Sequence, residues 1–419
     1  MPSSADAELS RARRQPFRLL KINPRYRIYF VADCVAQLGF WIENTALLWL
    51  IMDLTHSGMS VGLLSFCQFA PLATLGLFGG VLVDRYDLRK ILLIVQTGVA
   101  LCPIALLVLA QTNRLDVHLI FAVATARGVL ICFTIPAWQI FLIELVGKDS
   151  VSNAYGLSAA REHLARLVGP AIAGSAIVVA GVSVCFAASA AGALAMLYTA
   201  CSFRMIRHRA AARRPLSPFS NFRDGLRAVL SDPSLRMLTL ALFIVTFLPM
   251  SFVVTLPIFS VQTLKQGSIV YGLLFSSLGS GSLAAALLVA SRRAISHCAI
   301  FASAAGLGIA ELVLMFEREV LASAVVLAVA GFCMTYFLVS IRSILITEAR
   351  DDMIGRISAI YTYIVMACGS LGNSLSGWLS EVGGTELSFG LGGFAALSIG
   401  CAGLLRIKMT NSRVVKRVD

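Results

Sequence analysis

The sequence predicts an all-α membrane protein in which twelve spanning helices form two similar halves of six. Three observations lead to this fold class. Of the 419 residues, 58% are hydrophobic and only 14% are charged, whereas soluble domains carry roughly 25% charged residues. Apolar runs long enough to cross a bilayer, which takes roughly 20 residues, recur along the whole chain. The polar breaks between these runs alternate between strongly basic and weakly charged stretches.

Six apolar runs precede the longest polar break. The predicted helices are 28–52, 58–83, 89–110, 117–143, 151–180 and 182–203. The fifth is the least uniform, because it contains Arg161, Glu162, His163 and Arg166. Ionised side chains in lipid cost a few kcal/mol each and normally face a cavity. We therefore expect this part of the fifth helix to face the protein interior; a wet helix end with mutual ion pairs is the alternative.

The longest break, residues 204–234, is rich in Arg and contains Pro215, Pro218 and Pro233. It includes a stretch, NFRDGLRAVLSDP, that predicts a short amphipathic surface helix. Six further runs follow it. The predicted helices of this second half are 235–261, 268–290, 295–316, 319–345, 354–380 and 386–406, the tenth of the chain carrying Arg342.

These segments divide the chain into five parts. We predict an N-terminal tail (1–27), a six-helix bundle (28–203), a central linker (204–234), a second six-helix bundle (235–406) and a C-terminal tail (407–419). Two six-helix halves around a central pathway are typical of secondary transporters. The first 27 residues are polar and basic and lack the apolar core of a cleavable signal, so the first spanning helix should direct insertion.

Positive charge follows the predicted topology. Of the 35 Lys and Arg, 28 lie in the tails, the central break and the other breaks on the same side. The opposite side has Arg114, Lys265 and Arg318, and four more arginines lie inside helices. The positive-inside rule then places both termini in the cytoplasm and requires an even number of helices. The net charge of +13 is explained by topology, so we expect no nucleic-acid partner.

Enzyme and metal chemistry have little support in the sequence. The ten Cys include no C-x-x-C pair and no Cys/His cluster, so we expect packing roles for them and no metal site. No phosphate-binding G-x-x-x-x-G-K-[ST] loop is present. The breaks are short and lack the acid and His clusters of membrane-bound transferases. We therefore expect neither an enzyme nor a cofactor.

The break between the second and third helices reads GGVLVDRYDLRK, residues 79–90. Two glycines, the second of them Gly80, allow close approach of a neighbouring helix. Asp84 follows beside Arg85, Arg89 and Lys90, and it can pair with these bases or with the N-terminus of another helix. A solvated turn is the simpler alternative.

This break resembles the helix 2–3 loop of the major facilitator superfamily. Stretches at 23–64, 134–154, 164–174 and 355–381 are similar to the enterobactin-exporter-like branch of that superfamily, so the resemblance spans nearly the whole chain. The sequence departs from the pattern at Asp87, Leu88, Trp138, Ala173 and Ser175. These departures bear on the substrate rather than on the fold.

The resemblance implies a monomeric, proton-driven exporter in a bacterial cytoplasmic membrane. Its substrate would be a small, partly hydrophobic molecule such as a drug, a siderophore or another secondary metabolite. The basic loop would gate the cytoplasmic side by docking near Gly355 and Arg356. Gly169, Pro170 and Gly174 resemble the antiporter motif of helix 5, whose proline would bend the helix; a plain packing kink is the alternative.

Charged groups inside the helices are the candidates for coupling and binding. Arg127 resembles the helix 4 arginine that superfamily antiporters use in proton coupling. Asp33 and Glu43, just under three turns apart, could face one side of helix 1. A carboxyl group in a membrane cavity can exchange protons near neutral pH. The proton-coupling candidates are Asp33, Glu43, Arg127, Glu162 and His163. The substrate-cavity candidates are Trp41, Trp138, Arg161 and Arg166.

Other roles remain open at this level. A facilitator-type fold also serves uptake, lysolipid flipping or sensing, and flux direction separates these from export. Glu311, near the outer end of the ninth predicted helix, is expected to be a surface acid.

Overall fold

The computed structural model describes residues 18–147, 150–203, 218–292, 296–348 and 353–415; within these helices, the side chains at 18, 77–82, 84, 85, 152, 218–222, 224, 354 and 410–415 are not described. Throughout these ranges the regular secondary structure is helical, which confirms the all-α fold class. Eleven helical stretches there are long and apolar enough to cross a membrane. The last of them, Gly355–Met409, is 55 residues long and reverses at Gly383 and Gly384, so it supplies two spans.

The first half starts with a five-residue helix, Arg18–Ile22. Its spanning helices are α1 (Pro24–Thr55), α2 (Gly58–Arg85), α3 (Leu88–Gln111), α4 (Val117–Val146), α5 (Val151–Ala180) and α6 (Val182–Ser202). Local sequence explains several starts. The side chain of Asn23 accepts a hydrogen bond from the N–H of Tyr26 and Pro24 occupies the first turn, while Asp87 and Asp116 cap α3 and α4. Such residues satisfy backbone donors that a helix start leaves free.

The second half follows a surface helix, Pro218–Ser231, which we call the linker helix. Its spans are α7 (Pro233–Thr263), α8 (Ser268–Ser291), α9 (His297–Leu314), α10 (Val320–Thr347), α11 (354–382) and α12 (385–415). Two of these are irregular. α7 is interrupted between Phe247 and Phe252, and both α7 and α11 contain a π-helical turn, at Phe259–Thr263 and Ile364–Cys368. Such turns are frequently found at functional sites.

Each span reverses the chain direction, so the helix ends form two faces. We call the face with the first and last described residues, 18 and 415, the terminal face and the opposite one the distal face. At the terminal face the Asn23 side-chain amide donates to the carbonyl of Leu145 over 3.1 Å. At the distal face Arg318 and Glu386 form an ion pair at 2.7 Å. α12 continues to Val415, past its predicted end at 406, because a helix can extend into water where its apolar run stops.

The two halves contact each other through matching helix pairs. α2 packs against α11, and α5 packs against α8. Glycines allow these close approaches: a Cβ added at Gly58 would lie 2.7 Å from the carbonyl oxygen of Gly377, and Gly174 is in backbone contact with Ser268 and Gly272. Within the halves, α1 packs on α5 and α6, and α9 packs on α10 and α12. The helices nearest the interface can therefore approach and separate as pairs.

The distal ends of α2 and α11 are held together by side chains as well. The Glu381 carboxylate on α11 accepts hydrogen bonds from the Ser57 hydroxyl at 2.6 Å and from the Met59 N–H at 2.7 Å. About two turns deeper, the Asn373 side-chain amide donates to the Ser65 hydroxyl at 2.8 Å. Glu381 thus caps the start of a helix in the other half, and the distal contact between α2 and α11 is closed.

Candidate functional site

A buried ion pair joins α1 to α4 inside the first half. Glu43 is 1% exposed and contacts the Arg127 guanidinium, which is 13% exposed. The Ser189 hydroxyl on α6 donates to the other oxygen of the Glu43 carboxylate. The Arg127 guanidinium also lies 5.2 Å from the ring centre of Phe40, which is a cation–π distance. Three helices therefore converge on one carboxylate.

The Glu43–Arg127 pair lies in the wall of a cavity. The cavity holds about 430 Å³ of unfilled space, part of it open to solvent. Apolar and aromatic side chains make up most of its surface, but the amide oxygens of Asn44 and Gln68 are buried there without a partner. The lining residues are Phe40, Glu43, Asn44, Leu47, Gln68, Phe69, Leu106, Val123, Ala124, Arg127, Gly128 and Ile131. An apolar cavity with a few polar groups is the usual form of a small-molecule site.

A second acid–arginine pair lies on α1 nearer the terminal face. Asp33 contacts Arg161 of α5, and each side chain is 13% exposed. Arg161 also donates to the backbone carbonyl of Asp33 over 3.4 Å. Asp33 and Glu43 are ten residues apart, which corresponds to about 15 Å along a helix. The structure thus gives both α1 acids an arginine partner, each from a different helix.

Arg166 takes part in a third arrangement, at the contact between the halves. Its guanidinium lies 4.8 Å from the ring centre of Trp41, and the Trp41 ring packs on Phe275 of α8 at 5.9 Å. The Trp41 Nε1 and Arg166 Nε donors are buried without partners. Trp41 and Arg166 are therefore brought together, but neither lines the cavity beside Glu43 and Arg127.

The helix 5 motif lies at this same contact. A Cβ at Gly169 would lie 2.7 Å from the Trp41 Cβ, and the Pro170 carbonyl faces Gly272 of α8. The Gly174 carbonyl accepts a hydrogen bond from the Ser268 hydroxyl at 3.1 Å. Helix α5 continues through Pro170. The motif residues thus bring α5 close to both α1 and α8.

Glu162 and His163 differ from their neighbours on α5. Glu162 is exposed, and His163 is half-buried with an unpartnered Nδ1. Neither is placed at the Glu43–Arg127 pair. Trp138 is also set apart: its Nε1 donates to Gln96 over 3.3 Å and its ring packs on Tyr29 and Phe141. Trp138 is 8% exposed in the packed interior of the first half.

Three residues of the predicted gate loop, Gly80, Asp84 and Arg85, lie in the part of α2 whose side chains are outside the described residues. Arg89 and Lys90 are exposed at the terminal face.

The predicted docking partners of that loop are described. Gly355 is exposed, and Arg356 is half-buried, with its Nη1 3.3 Å from the Met353 sulfur. The Arg356 side chain also packs beside Gly225 of the linker helix. The linker helix thus touches the start of α11 at the predicted docking point.

Sequence reasoning missed several residues of the site and misplaced one acid. Ser189, Asn44, Gln68 and Phe40 had no distinguishing signal, since hydroxyl, amide and Phe side chains are frequent throughout these helices. Glu311 is not a surface acid: it is 3% exposed on α9, because α12 and the interrupted part of α7 cover it. Within the described residues, no group of three or more His, Cys, Asp or Glu is arranged to hold a metal ion.

Comparison with known proteins gives the family. A family profile described as transmembrane secretion effector matches residues 16–417. The chain is 24% identical to the enterobactin exporter EntS of Shigella flexneri over 399 residues, 92% of each protein. It is 26% identical to the multidrug efflux pump Tap of Mycobacterium bovis over 403 residues, 92% of this chain and 93% of that pump.

One further relative matches over a shorter stretch. The staphyloferrin A transporter of Staphylococcus aureus is 29% identical over 149 residues, which is 35% of this chain and 38% of that protein.

Solved structures agree on the fold. The nucleoside transporter NupG superposes with a TM-score of 0.71 at 12% identity, covering 90% of this chain and 98% of NupG. A POT family transporter in complex with 5-aminolevulinic acid superposes with a TM-score of 0.70 at 10% identity, covering 90% of this chain and 95% of that transporter. The chain belongs to the transmembrane secretion effector family of the major facilitator superfamily, and it is a multi-pass membrane transporter of small molecules rather than an enzyme.

Proposed function

We propose that this transporter exports a small, partly hydrophobic molecule from the bacterial cytoplasm in exchange for protons, with Glu43 as the proton carrier. The observation that carries the proposal is the buried Glu43–Arg127 pair in the wall of the first-half cavity. The names of relatives support export: an enterobactin exporter and a multidrug efflux pump.

The coupling follows from the electrostatics of the pair. An ionised carboxylate that is 1% exposed needs its cationic partner, since an unpaired buried charge is strongly destabilising. Protonation of Glu43 removes the attraction and leaves Arg127 as the uncompensated charge. A hydroxyl or other donor group of the substrate can bind the Glu43 carboxylate only while that carboxylate is ionised, and Arg127 can then hold an acceptor group of the same substrate. Proton and substrate thus compete for the Glu43 carboxylate, which is the requirement for exchange.

The cavity suggests the chemical class of substrate. Its aromatic and aliphatic walls favour a partly hydrophobic molecule, while Arg127 and the amides of Asn44 and Gln68 favour one with acidic or hydroxyl groups. Arg161 and Arg166 add positive charge nearby in α5. A molecule of carboxylate or catechol character meets both conditions. Strong efflux of permanent cations, with none of acidic compounds, would contradict this class.

Alternating access would use the helix pairs between the halves. The distal contacts of α2 with α11 and of α5 with α8 are closed, so the substrate would enter from the terminal face. We place that face in the cytoplasm on the basis of its Lys and Arg excess. The basic loop with Asp84, Arg89 and Lys90 would close it by docking near Arg356. Replacing Asp84 with Asn should slow transport without preventing insertion.

Transport from energised cells tests the proposal. Cells expressing the protein are loaded with a panel of fluorescent drugs and of catecholate and carboxylate compounds, with and without a protonophore. We expect efflux that stops with the protonophore and that is lost in Glu43→Gln. Asp53→Asn is the matched control, since Asp53 is an exposed acid on the same helix. Efflux by Glu43→Gln at the wild-type rate would exclude Glu43 as the carrier.

Asp33 is a second candidate for the carrier. Its pairing with Arg161 repeats the acid–arginine arrangement nearer the terminal face, and Glu162 and His163 follow Arg161 along α5. Asp33→Asn and Glu162→Gln therefore belong in the same series. Uptake, lysolipid flipping and sensing are separated from export by the direction of flux.

A further inference from the structure

An acidic side chain is buried in the second half without a cation. Glu311 of α9 is 3% exposed, and its Oε2 has no hydrogen-bond partner. A Cβ at Gly392 of α12 would lie 2.6 Å from that oxygen and 3.4 Å from the Cα of Pro249 in α7. The carboxyl group therefore lies against the backbone of Gly392, at a point where α12 has no side chain and Pro249 of α7 is a close neighbour.

No charge compensates Glu311 within the described residues. Helix α9 packs on α10 and α12, and Pro249 of α7 lies beside Gly392 at the same point; none of these elements brings a hydrogen-bond partner to the Glu311 Oε2. The nearest charged residues along the chain are Glu317 and Arg318 after α9, and Glu386 precedes Gly392 on α12. Arg318 and Glu386 pair with each other at the distal face. An isolated ionised carboxylate in such a place would be very unfavourable, so burial favours the neutral, protonated form of Glu311 in this conformation.

The interruption of α7 near Glu311 leaves further polar groups without partners. The helix stops at Phe247 and resumes at Phe252, and the intervening Pro249 supplies no backbone donor. The hydroxyls of Thr246 and Ser251 are both buried there without partners. Three polar groups without partners thus surround one break in a helix.

The same break contacts the helix that closes the distal face. The backbone of Phe247 lies directly against Gly372 of α11, and Thr246 faces Gly369. Further along, α11 carries Asn373 and Glu381, which hold α2. A movement of α11 away from α2 therefore changes the support of the α7 break, and with it the cover over Glu311.

From this arrangement we propose that Glu311 is a second proton-binding site, occupied when the distal face is closed and emptied when the α7 break moves. The bound species is a proton on a carboxylate oxygen, gained from and released to water as the site opens. The site lies in the opposite half from Glu43 and does not depend on Glu43 being the transport carrier.

Infrared spectroscopy of the full-length protein in lipid nanodiscs tests the occupied state. A protonated carboxylic acid has a carbonyl-stretch band that a carboxylate lacks. We expect this band at neutral pH in the wild type, its loss in Glu311→Gln and its retention in Asp53→Asn, which removes an exposed acid of α1. It should also be retained in Glu43→Gln. The helical amide band in the same spectra verifies folding, and if Glu311→Gln fails to fold, Glu311→Asp should shift the band in frequency without removing it. An unchanged band in Glu311→Gln would overturn the proposal.

A second measurement tests the release. A short bifunctional crosslink between Cys residues introduced at positions 57 and 381, in a background without the native cysteines, holds α2 and α11 together. On raising the pH, we expect the Glu311 band to disappear in the free protein and to persist in the crosslinked one. Identical titrations in both would show that the protonation of Glu311 does not depend on the distal contact and would reject the proposal. Loss of transport in Glu43→Gln with intact Glu311 titration would separate this result from the proposed function.

Discussion

Glu43 and Arg127 depend on each other at the residue scale, because each would be a buried, unpaired charge without the other. The pair lies between α1 and α4, with Ser189 of α6 as a third contact. Its net contribution to stability is small compared with the penalty of separating it. The pair is thus better suited to reversible opening by protonation of Glu43 than to the loss of one side chain by mutation.

Replacing Arg127 with Ala should destabilise the protein by about 3–5 kcal/mol, the range for an uncompensated buried charge. Removing both charges in Glu43→Gln/Arg127→Ala should recover most of the lost free energy of unfolding. Thermal unfolding in detergent of the wild type, both single variants and the double variant measures the interaction as a double-mutant cycle. Additive losses in the double variant would show that the two side chains are not coupled.

Transport should respond differently from stability. In the double variant the carrier acid is absent, so protonophore-sensitive efflux should fall at least about tenfold, which corresponds to roughly 1.4 kcal/mol. Arg127→Lys should retain insertion but reduce efflux, because an ammonium group lacks the planar guanidinium that contacts both Phe40 and Glu43. Equal efflux with Lys would reduce the role of Arg127 to that of a point charge.

At the scale of elements, the glycines at the contacts between halves decide how closely helices approach. Gly62 lies beside the backbone of Asn373 and Ser374, and Gly174 lies beside Ser268 and Gly272. Since no side chain is interposed, these contacts close over short distances. The α5 motif, predicted from its resemblance to antiporters, takes part in the contact between the halves.

Gly174→Leu should therefore keep the distal ends of α5 and α8 apart. We expect normal insertion, near-complete loss of efflux, and increased labelling of distal-half cysteines by an impermeant thiol reagent. Gly156→Leu is the control on the same helix, since a Cβ there meets nothing within 4 Å. If Gly156→Leu has the same effect, bulk on α5 rather than closure would be the cause.

The Glu381 cap makes a separate prediction. Glu381→Ala removes both hydrogen bonds to the start of α2, whereas Glu381→Gln retains an amide oxygen that can accept one of them. Distal accessibility should rise most in the Ala variant and less in the Gln variant, as judged by labelling of a cysteine placed beneath the contact. Equal labelling in the two variants and the wild type would remove Glu381 from the gate.

For the whole molecule, the bias of basic residues predicts orientation. A tag at residue 419 should be protected in intact cells, and one inserted at the α3–α4 turn near Asn113 should be accessible from outside. Protease or antibody accessibility before and after permeabilisation gives the answer. A protected turn with an accessible terminus would reverse the proposed direction of transport.

The fold and the site differ in how much the sequence reveals. Hydropathy located each span that the structure describes, since a bilayer demands long apolar helices whatever their neighbours. It placed the start of α1 at 28, whereas the Asn23 cap begins the helix at Pro24. The hydropathy pattern does not show which charged side chains pair with each other. The pairings of Asp33 with Arg161 and of Glu43 with Arg127 depend on helix rotation and tilt, which packing between helices determines.

Glu311 illustrates the same difference at larger scale. Its position near the outer end of the ninth predicted helix suggested a surface acid. Position along one helix, however, does not determine whether neighbouring helices cover a side chain. That cover depends on Gly392 of α12 and on the interruption of α7 at Pro249, more than sixty residues away along the chain on either side. A pattern in one sequence shows how far along a helix a residue lies, but it does not show which residues of other helices contact it.

The distal seal is formed mainly by backbone surfaces at glycines, while the proposed binding cavity is lined by side chains of α1 to α4. These two sets of residues scarcely overlap, so a change of ligand at the proposed site does not require a change in the seal. Selection for a new cargo could thus proceed through single substitutions at positions such as Phe69 or Val123 while the transport cycle stays intact. A scaffold of this kind can diversify among chemically unrelated compounds without evolving a new gate each time.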